Sequence, residues 1–109
     1  MPKAPLLPDT DIAARLRALR DWRREGDTIV KVFTFANFRE ALGFVNRIAG
    51  EADKQNHHPD VSIHWDTVTL TLWTHASGGL TERDFRLASA IDALTIDTVT
   101  IDTVEEPDA

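Results

Sequence analysis

Val61-Ser62-Ile63-His64-Trp65-Asp66-Thr67-Val68-Thr69-Leu70-Thr71-Leu72 is the stretch that decides how this chain folds. Val61, Ile63 and Trp65 alternate with Ser62 and His64 before the polar pair Asp66-Thr67. Val68, Leu70 and Leu72 alternate with Thr69 and Thr71 after it. Successive side chains of a strand point to opposite faces, so this double alternation predicts an amphipathic antiparallel hairpin. With Asp66-Thr67 as a two-residue turn, Trp65 pairs with Val68, Ile63 with Leu70 and Val61 with Leu72. All six apolar residues then share one face. The turn lacks the glycine that tight hairpins favour, and a longer loop is the alternative.

Continued past the strand ends, the same register sets His58 opposite His75 on the non-core side, with His57 adjacent. Three of the four histidines thus converge at the open end of one hairpin. Imidazole is the side chain whose ordinary pKa lies nearest neutrality, and a cluster of it points to proton transfer or metal binding. Three imidazoles and a water can form a catalytic zinc centre. However, adjacent residues of an extended segment point opposite ways, which sets His57 and His58 against a shared metal. With no cysteine, a thiolate site and a disulfide framework are both excluded.

The segment resembles the pterin-4a-carbinolamine dehydratases. The resemblance runs through Asp53-Lys54-Gln55-Asn56-His57-His58-Pro59, Trp65, Val68, Thr74-His75, Gly78-Gly79-Leu80-Thr81 and Asp84. It covers roughly Ile12 to Leu94, and several elements at fixed spacing are far more specific than one motif. Asp53 stands where the family commonly has glutamate, and Trp65-Asp66 where Tyr-Asn is common. The resemblance implies dehydration of a 4a-hydroxytetrahydropterin, which supports pterin-dependent aromatic amino-acid hydroxylases. It implies His57 and His75 as the acid–base pair and His58 as a third catalytic-site residue that binds and orients the pterin. Asp53, Pro59 and Trp73 are the candidate substrate-binding or orienting residues. Asp53, four residues before His57, is placed to orient an imidazole or hold the amino-pyrimidine edge. No cofactor and no metal is called for.

Composition sets bounds on this reading. The chain has 109 residues and a net charge of -6. That is room for one domain, and an acidic balance argues against nonspecific nucleic-acid binding. No stretch is apolar enough to span a bilayer, and Met1 to Pro8 is too short and proline-rich for a signal peptide. A cytoplasmic protein is the expectation.

Residues 1–8 read as a flexible lead-in. Asp9 or Thr10 can cap a helix carrying Ile12, Leu16 and Leu19. Trp22 to Glu25 reads as a strand, Gly26-Asp27 as a turn and Thr28 to Phe35 as a second strand. Asn37 with Glu40 starts a helix whose apolar stripe is Phe38, Leu42, Val45 and Ala49, fraying near Asp53 to Asn56. After the hairpin, Gly78-Gly79 breaks the strand. Thr81 with Asp84 resembles a capping box for a last helix with Leu87, Ile91 and Leu94 buried. The order α-β-β-α-β-β-α predicts an α+β domain over residues 9–95, a four-stranded antiparallel sheet with three helices on one face. Residues 96–109 repeat Ile-Asp-Thr-Val with a period of five and end in Glu105-Glu106-Pro107-Asp108. They read as an acidic, mobile tail, with an added edge strand as the alternative.

Other conspicuous residues have plainer readings. His64 sits on the polar strand face. Trp22 and Trp65 read as core or interface aromatics, and Gly78-Gly79 lacks the lysine and spacing of a phosphate loop. Arg20, Arg23 and Arg24 are interleaved with Asp21 and Glu25 as a solvated, paired surface.

Two function classes follow: an enzyme acting on a small pterin, and a protein-binding module of the dimerisation-partner or transcriptional co-regulator type. An enzyme for another pterin is a variant of the first. A short chain with an unpaired sheet edge and several apolar helix stripes also predicts a homo-oligomer, a tetramer before a dimer.

Overall fold

Helix capping and strand alternation produce the expected order of elements, with some shifted boundaries. The computed structural model describes residues 3–102. Helix α1 spans Asp9–Ala18, with Pro8 at the N-cap in place of Asp9 or Thr10. Asp9 and Asp11 in its first turn and Arg15 and Arg17 in its last complement the helix dipole. Strands β1 (Arg23–Glu25), β2 (Thr28–Thr34), β3 (Asp60–His64) and β4 (Thr67–Leu72) form one antiparallel sheet in the order β1-β2-β4-β3. Helix α2 spans Phe38–Gln55 and α3 spans Glu82–Asp102. Ile12, Phe44, Ile48, Leu87 and Ile91 from the helices share one core with Ile29, Phe33, Val68, Leu70 and Leu72 from the sheet.

The hairpin forms with a different turn. The partners are Val61 with Leu70, Ile63 with Val68 and His64 with Thr67, so Trp65-Asp66 makes the turn and not Asp66-Thr67. An offset of two keeps every side chain on its predicted face. The gain lies in Thr67, a β-branched residue that now pairs with His64 on one side and Thr34 on the other. Trp65 takes the positive φ of the tight turn, 59°, and is 75% exposed. The predicted six-residue apolar face is therefore corrected. Val68, Leu70 and Leu72 are buried, but Val61 on the edge strand is 41% exposed.

A second correction concerns α2. Asn37 caps it as predicted, its Oδ1 accepting from the Glu40 N–H at 2.9 Å. Yet the buried stripe is Ala41, Phe44, Ile48 and Ala52. Phe38 and Leu42, from the predicted stripe, are exposed. The helix carries two apolar stripes, and the one with Phe44 stacks on Phe33 and Phe35 of the sheet side, at centroid distances of 4.9 Å each.

Helix α3 does not stop near Leu94 but runs to Asp102, into the segment read as a tail. The Ile-Asp-Thr-Val repeat contains no glycine or proline, and extending a formed helix costs far less than starting one. The acidic end at Glu105-Glu106-Pro107-Asp108 lies outside the described residues. On α3, Asp92 ties the helix to the sheet by accepting from Trp22 Nε1–H at 3.1 Å and Lys31 Nζ at 2.9 Å. The lead-in is also tied down. Leu7 N–H donates to the Leu80 carbonyl at 3.0 Å, and the Ser77 hydroxyl donates to the Ala4 carbonyl at 2.6 Å. Among the described residues, no helix is long and apolar enough to cross a membrane.

Candidate active site

Helix α2 ends where the histidines begin. Asn56 adopts the left-handed conformation, φ 51° and ψ 44°, which asparagine tolerates better than most side chains. His57 N–H bonds back to the Ala52 carbonyl at 3.1 Å, closing the helix end. This reversal turns His57 inward, where it is 9% exposed.

The His57 ring meets Asp84, its Nε2 lying 2.6 Å from Oδ1. Asp84 is fully buried in the first turn of α3. Its Oδ2 accepts from the Thr74 hydroxyl and from the Thr81 N–H, both at 2.9 Å. The Thr81–Asp84 capping box is therefore present as the spacing predicted. Two donors already occupy Oδ2, and with the carboxylate ionised and acceptor-only the short contact at Oδ1 is assigned as donated by His57 Nε2–H. That leaves Nδ1 as the ring's uncommitted nitrogen. Because Thr74 donates to Asp84, the Thr81 hydroxyl donates to Thr74 Oγ1 at 2.7 Å and accepts from Arg83 N–H at 3.1 Å. Every buried polar group in this network is satisfied, as low-dielectric surroundings require.

His58 lies on the outside. Its Nε2 is 3.1 Å from Asp53 Oδ1, and both side chains are largely exposed. Asp53 thus meets His58 and not His57, since the reversal at Asn56 swings the later ring back over the helix end. His75 also departs from the predicted register. Counted outward from Asp60–Thr71, the ladder sets Trp73, not His75, opposite His58. Strand β4 ends at Leu72, Thr74 bridges Gly79, and His75 opens a 3-10 turn, His75–Ser77. Gly78 closes that turn with φ 76°, a conformation suited to glycine. The exposed His75 ring stacks on Trp73, centroids 4.1 Å apart and planes tilted by 42°.

The rings still reach a common space. His57, His58, Pro59, Trp73, His75 and Arg83 line a cavity of about 330 Å³. Asp53 is not among its lining residues, so of the predicted site residues it alone stands back, behind His58. Arg83 was missed because a cation in the first turn of a helix reads as surface. Asp84 stands in the family pattern, yet its spacing to Thr81 marks it only as a cap. Among the described residues, no group of three or more His, Cys, Asp or Glu side chains could hold a metal ion.

The molecule is thus an α+β domain with one carboxylate-anchored imidazole and two exposed ones on a single cavity. Comparison with known proteins gives the class a family. The family described as pterin 4 alpha carbinolamine dehydratase matches residues 5–94. A protein of Thermomicrobium roseum named "Putative pterin-4-alpha-carbinolamine dehydratase" is 47% identical over 88 residues, covering 81% of this chain and 95% of the relative. One of the same name from Nocardia farcinica is 48% identical over 89 residues, covering 82% and 94%. Among solved structures, a transcriptional coactivator/pterin dehydratase from Brucella melitensis superposes with a TM-score of 0.78 at 33% identity, covering 81% of this chain and 96% of that one. The chain belongs to the pterin-4a-carbinolamine dehydratase family.

Proposed function

We propose that this protein dehydrates 4a-hydroxytetrahydropterins, with His57 and His75 as the acid–base pair and His58 as the residue that binds and orients the pterin. In the reaction a base removes the proton from N5, the N5 lone pair forms the C4a–N5 double bond, and the C4a–O bond breaks. Protonation of the departing oxygen gives water and a quinonoid dihydropterin. No electrons are exchanged, so the chemistry calls for proton donors and acceptors and for no redox cofactor.

The observation that carries this reading is the buried Asp84–His57 pair opening on the cavity that His75 shares. An imidazole whose Nε2–H is held by a carboxylate presents the other nitrogen as a base and stabilises the imidazolium that forms. This supports His57 as the base toward N5 and His75, at the solvent side, as the acid toward the leaving hydroxyl. Trp73 and Pro59 then border the flat ring system, and Asp53 acts through His58. Each such proton transfer contributes roughly 100- to 10,000-fold.

The same reading includes self-association. The exposed stripe with Phe38 and Leu42 on α2 and the open edge strand β3 with Val61 are apolar surfaces that further copies of the chain would cover. A tetramer uses both, a dimer one of them. Light scattering at micromolar concentration is expected to give a tetramer, and a monomeric mass would exclude it.

The deciding experiment is direct assay of a freshly generated 4a-carbinolamine. The wild-type protein is expected to accelerate its dehydration, and His57→Ala or His75→Ala is expected to lower turnover at least about tenfold. Wild-type turnover in both variants would sink the assignment.

A further inference from the structure

Each of the three histidines has a different holder. His57 is fixed by a buried carboxylate and His58 meets an exposed one. His75 has neither. It sits on a three-residue turn, and among the described residues its ring is in contact with the face of Trp73 and makes no hydrogen bond. An exposed imidazole on a short turn has two rotatable bonds and would sample several rotamers unless something restricts it. The indole is the restricting surface.

What holds the indole is on the neighbouring strand. Asp60 pairs with Thr71, so Trp73 is its diagonal neighbour two residues on, on the same face of the sheet. A long side chain spans that diagonal, and Trp73 Nε1–H donates to Asp60 Oδ2 at 3.3 Å. Asp60 directly follows His57-His58-Pro59. One polar contact and one ring contact therefore connect the segment bearing two histidines to the turn bearing the third.

We propose that Asp60 and Trp73 are a positioning pair for His75: the carboxylate sets the indole plane, and the indole plane sets where the imidazole meets substrate. Neither side chain takes or gives a proton in the reaction. The inference rests on the dehydratase reading for its kinetic consequences, but the clamp itself is a property of the free protein. Misplacement of a reacting group by a fraction of its contact distance is enough to slow an oriented reaction by about tenfold or more.

The test combines a spectroscopic readout with kinetics on the full chain. With the two ring centroids 4.1 Å apart, the indole ring current is expected to displace the NMR resonances of the His75 ring protons upfield of an ordinary imidazole. Trp73→Ala should abolish that displacement and Asp60→Ala should reduce it. In the carbinolamine assay, Asp60→Ala is expected to lower kcat about fivefold with KM changed less than about twofold, and Trp73→Ala about tenfold. Asp60→Asn, which keeps an acceptor for Nε1–H, should recover most of what Asp60→Ala loses. On a His75→Ala background neither change should lower kcat further. An ordinary His75 resonance position in the wild-type protein, a kcat in Asp60→Ala equal to wild type, or a Trp73→Ala effect confined to KM would each overturn the clamp. A displaced resonance in a wild-type protein that does not dehydrate the carbinolamine would leave the clamp standing and overturn the dehydratase reading.

Discussion

His57 and His75 face one cavity from opposite kinds of structure. His57 is buried between two helix ends, and its partner Asp84 is locked by Thr74, Thr81 and the first turn of α3. His75 is exposed on a 3-10 turn that is held by Trp73 from one side and by the lead-in from the other. The contrast teaches that one site can divide its requirements. A buried imidazole is fixed in orientation by a buried and fully satisfied carboxylate. An exposed imidazole has no such carboxylate, so its orientation depends on ring contact and on the backbone around it.

The largest expected effect is therefore at Asp84. Asp84→Ala removes the acceptor for three buried donors and should cost about 3 kcal/mol of stability, with turnover down roughly 100-fold. Chemical denaturation and the carbinolamine assay measure the two. Retained stability would mean that the buried network contributes nothing net.

Next comes a split between the two imidazoles. His57→Ala and His75→Ala should both lower turnover at least about tenfold. Only His57→Ala should also lower stability, by about 1 kcal/mol, because it leaves Asp84 short of a donor. His75→Ala should stay within about 0.5 kcal/mol of wild type, as expected for an exposed ring. Equal melting temperatures for the pair would break the comparison.

A smaller effect is expected where the lead-in holds the His75 turn. Ser77→Ala removes the bond to the Ala4 carbonyl and should cost about 0.5 to 1 kcal/mol. Faster amide exchange at Leu7, whose N–H bonds to Leu80, should accompany it. Unchanged exchange there would show that the two tethers act independently.

The least effect belongs to Gly79. A Cβ there would lie 3.0 Å from Leu6 Cδ2, the end of a flexible and largely exposed side chain. Gly79→Ala should shift Leu6 and change stability by less than about 0.5 kcal/mol. A loss of several degrees in melting temperature would show that the lead-in is packed more rigidly than its contacts indicate.

Much of this was legible in the sequence, for reasons that differ by residue. Strand alternation located β3 and β4 because side-chain direction has a period of two, and that holds whichever turn is used. The turn itself was not legible, because Trp65 accepts a positive φ that its residue type disfavours. On α2, two apolar stripes satisfy the helical period, and only packing against Phe33 and Phe35 decides between them. That the three histidines gather at the open end of the hairpin was legible, but the register was not: Trp73 lies opposite His58, and His75 reaches the cavity from a 3-10 turn. The partners of the histidines did not follow, since the reversal at Asn56 gives Asp53 to His58 and leaves His57 for a carboxylate on another helix.

The carboxylate of Asp84 both closes the first turn of α3 and accepts the hydrogen bond of the His57 ring. Local melting of that turn would free the imidazole at the same moment that it exposes the Thr81 amide to solvent. Opening of the helix end and release of the imidazole are then one event with one equilibrium constant. Protection of the Thr81 N–H against deuterium thus reports, in the resting protein, how rarely that joint opening occurs.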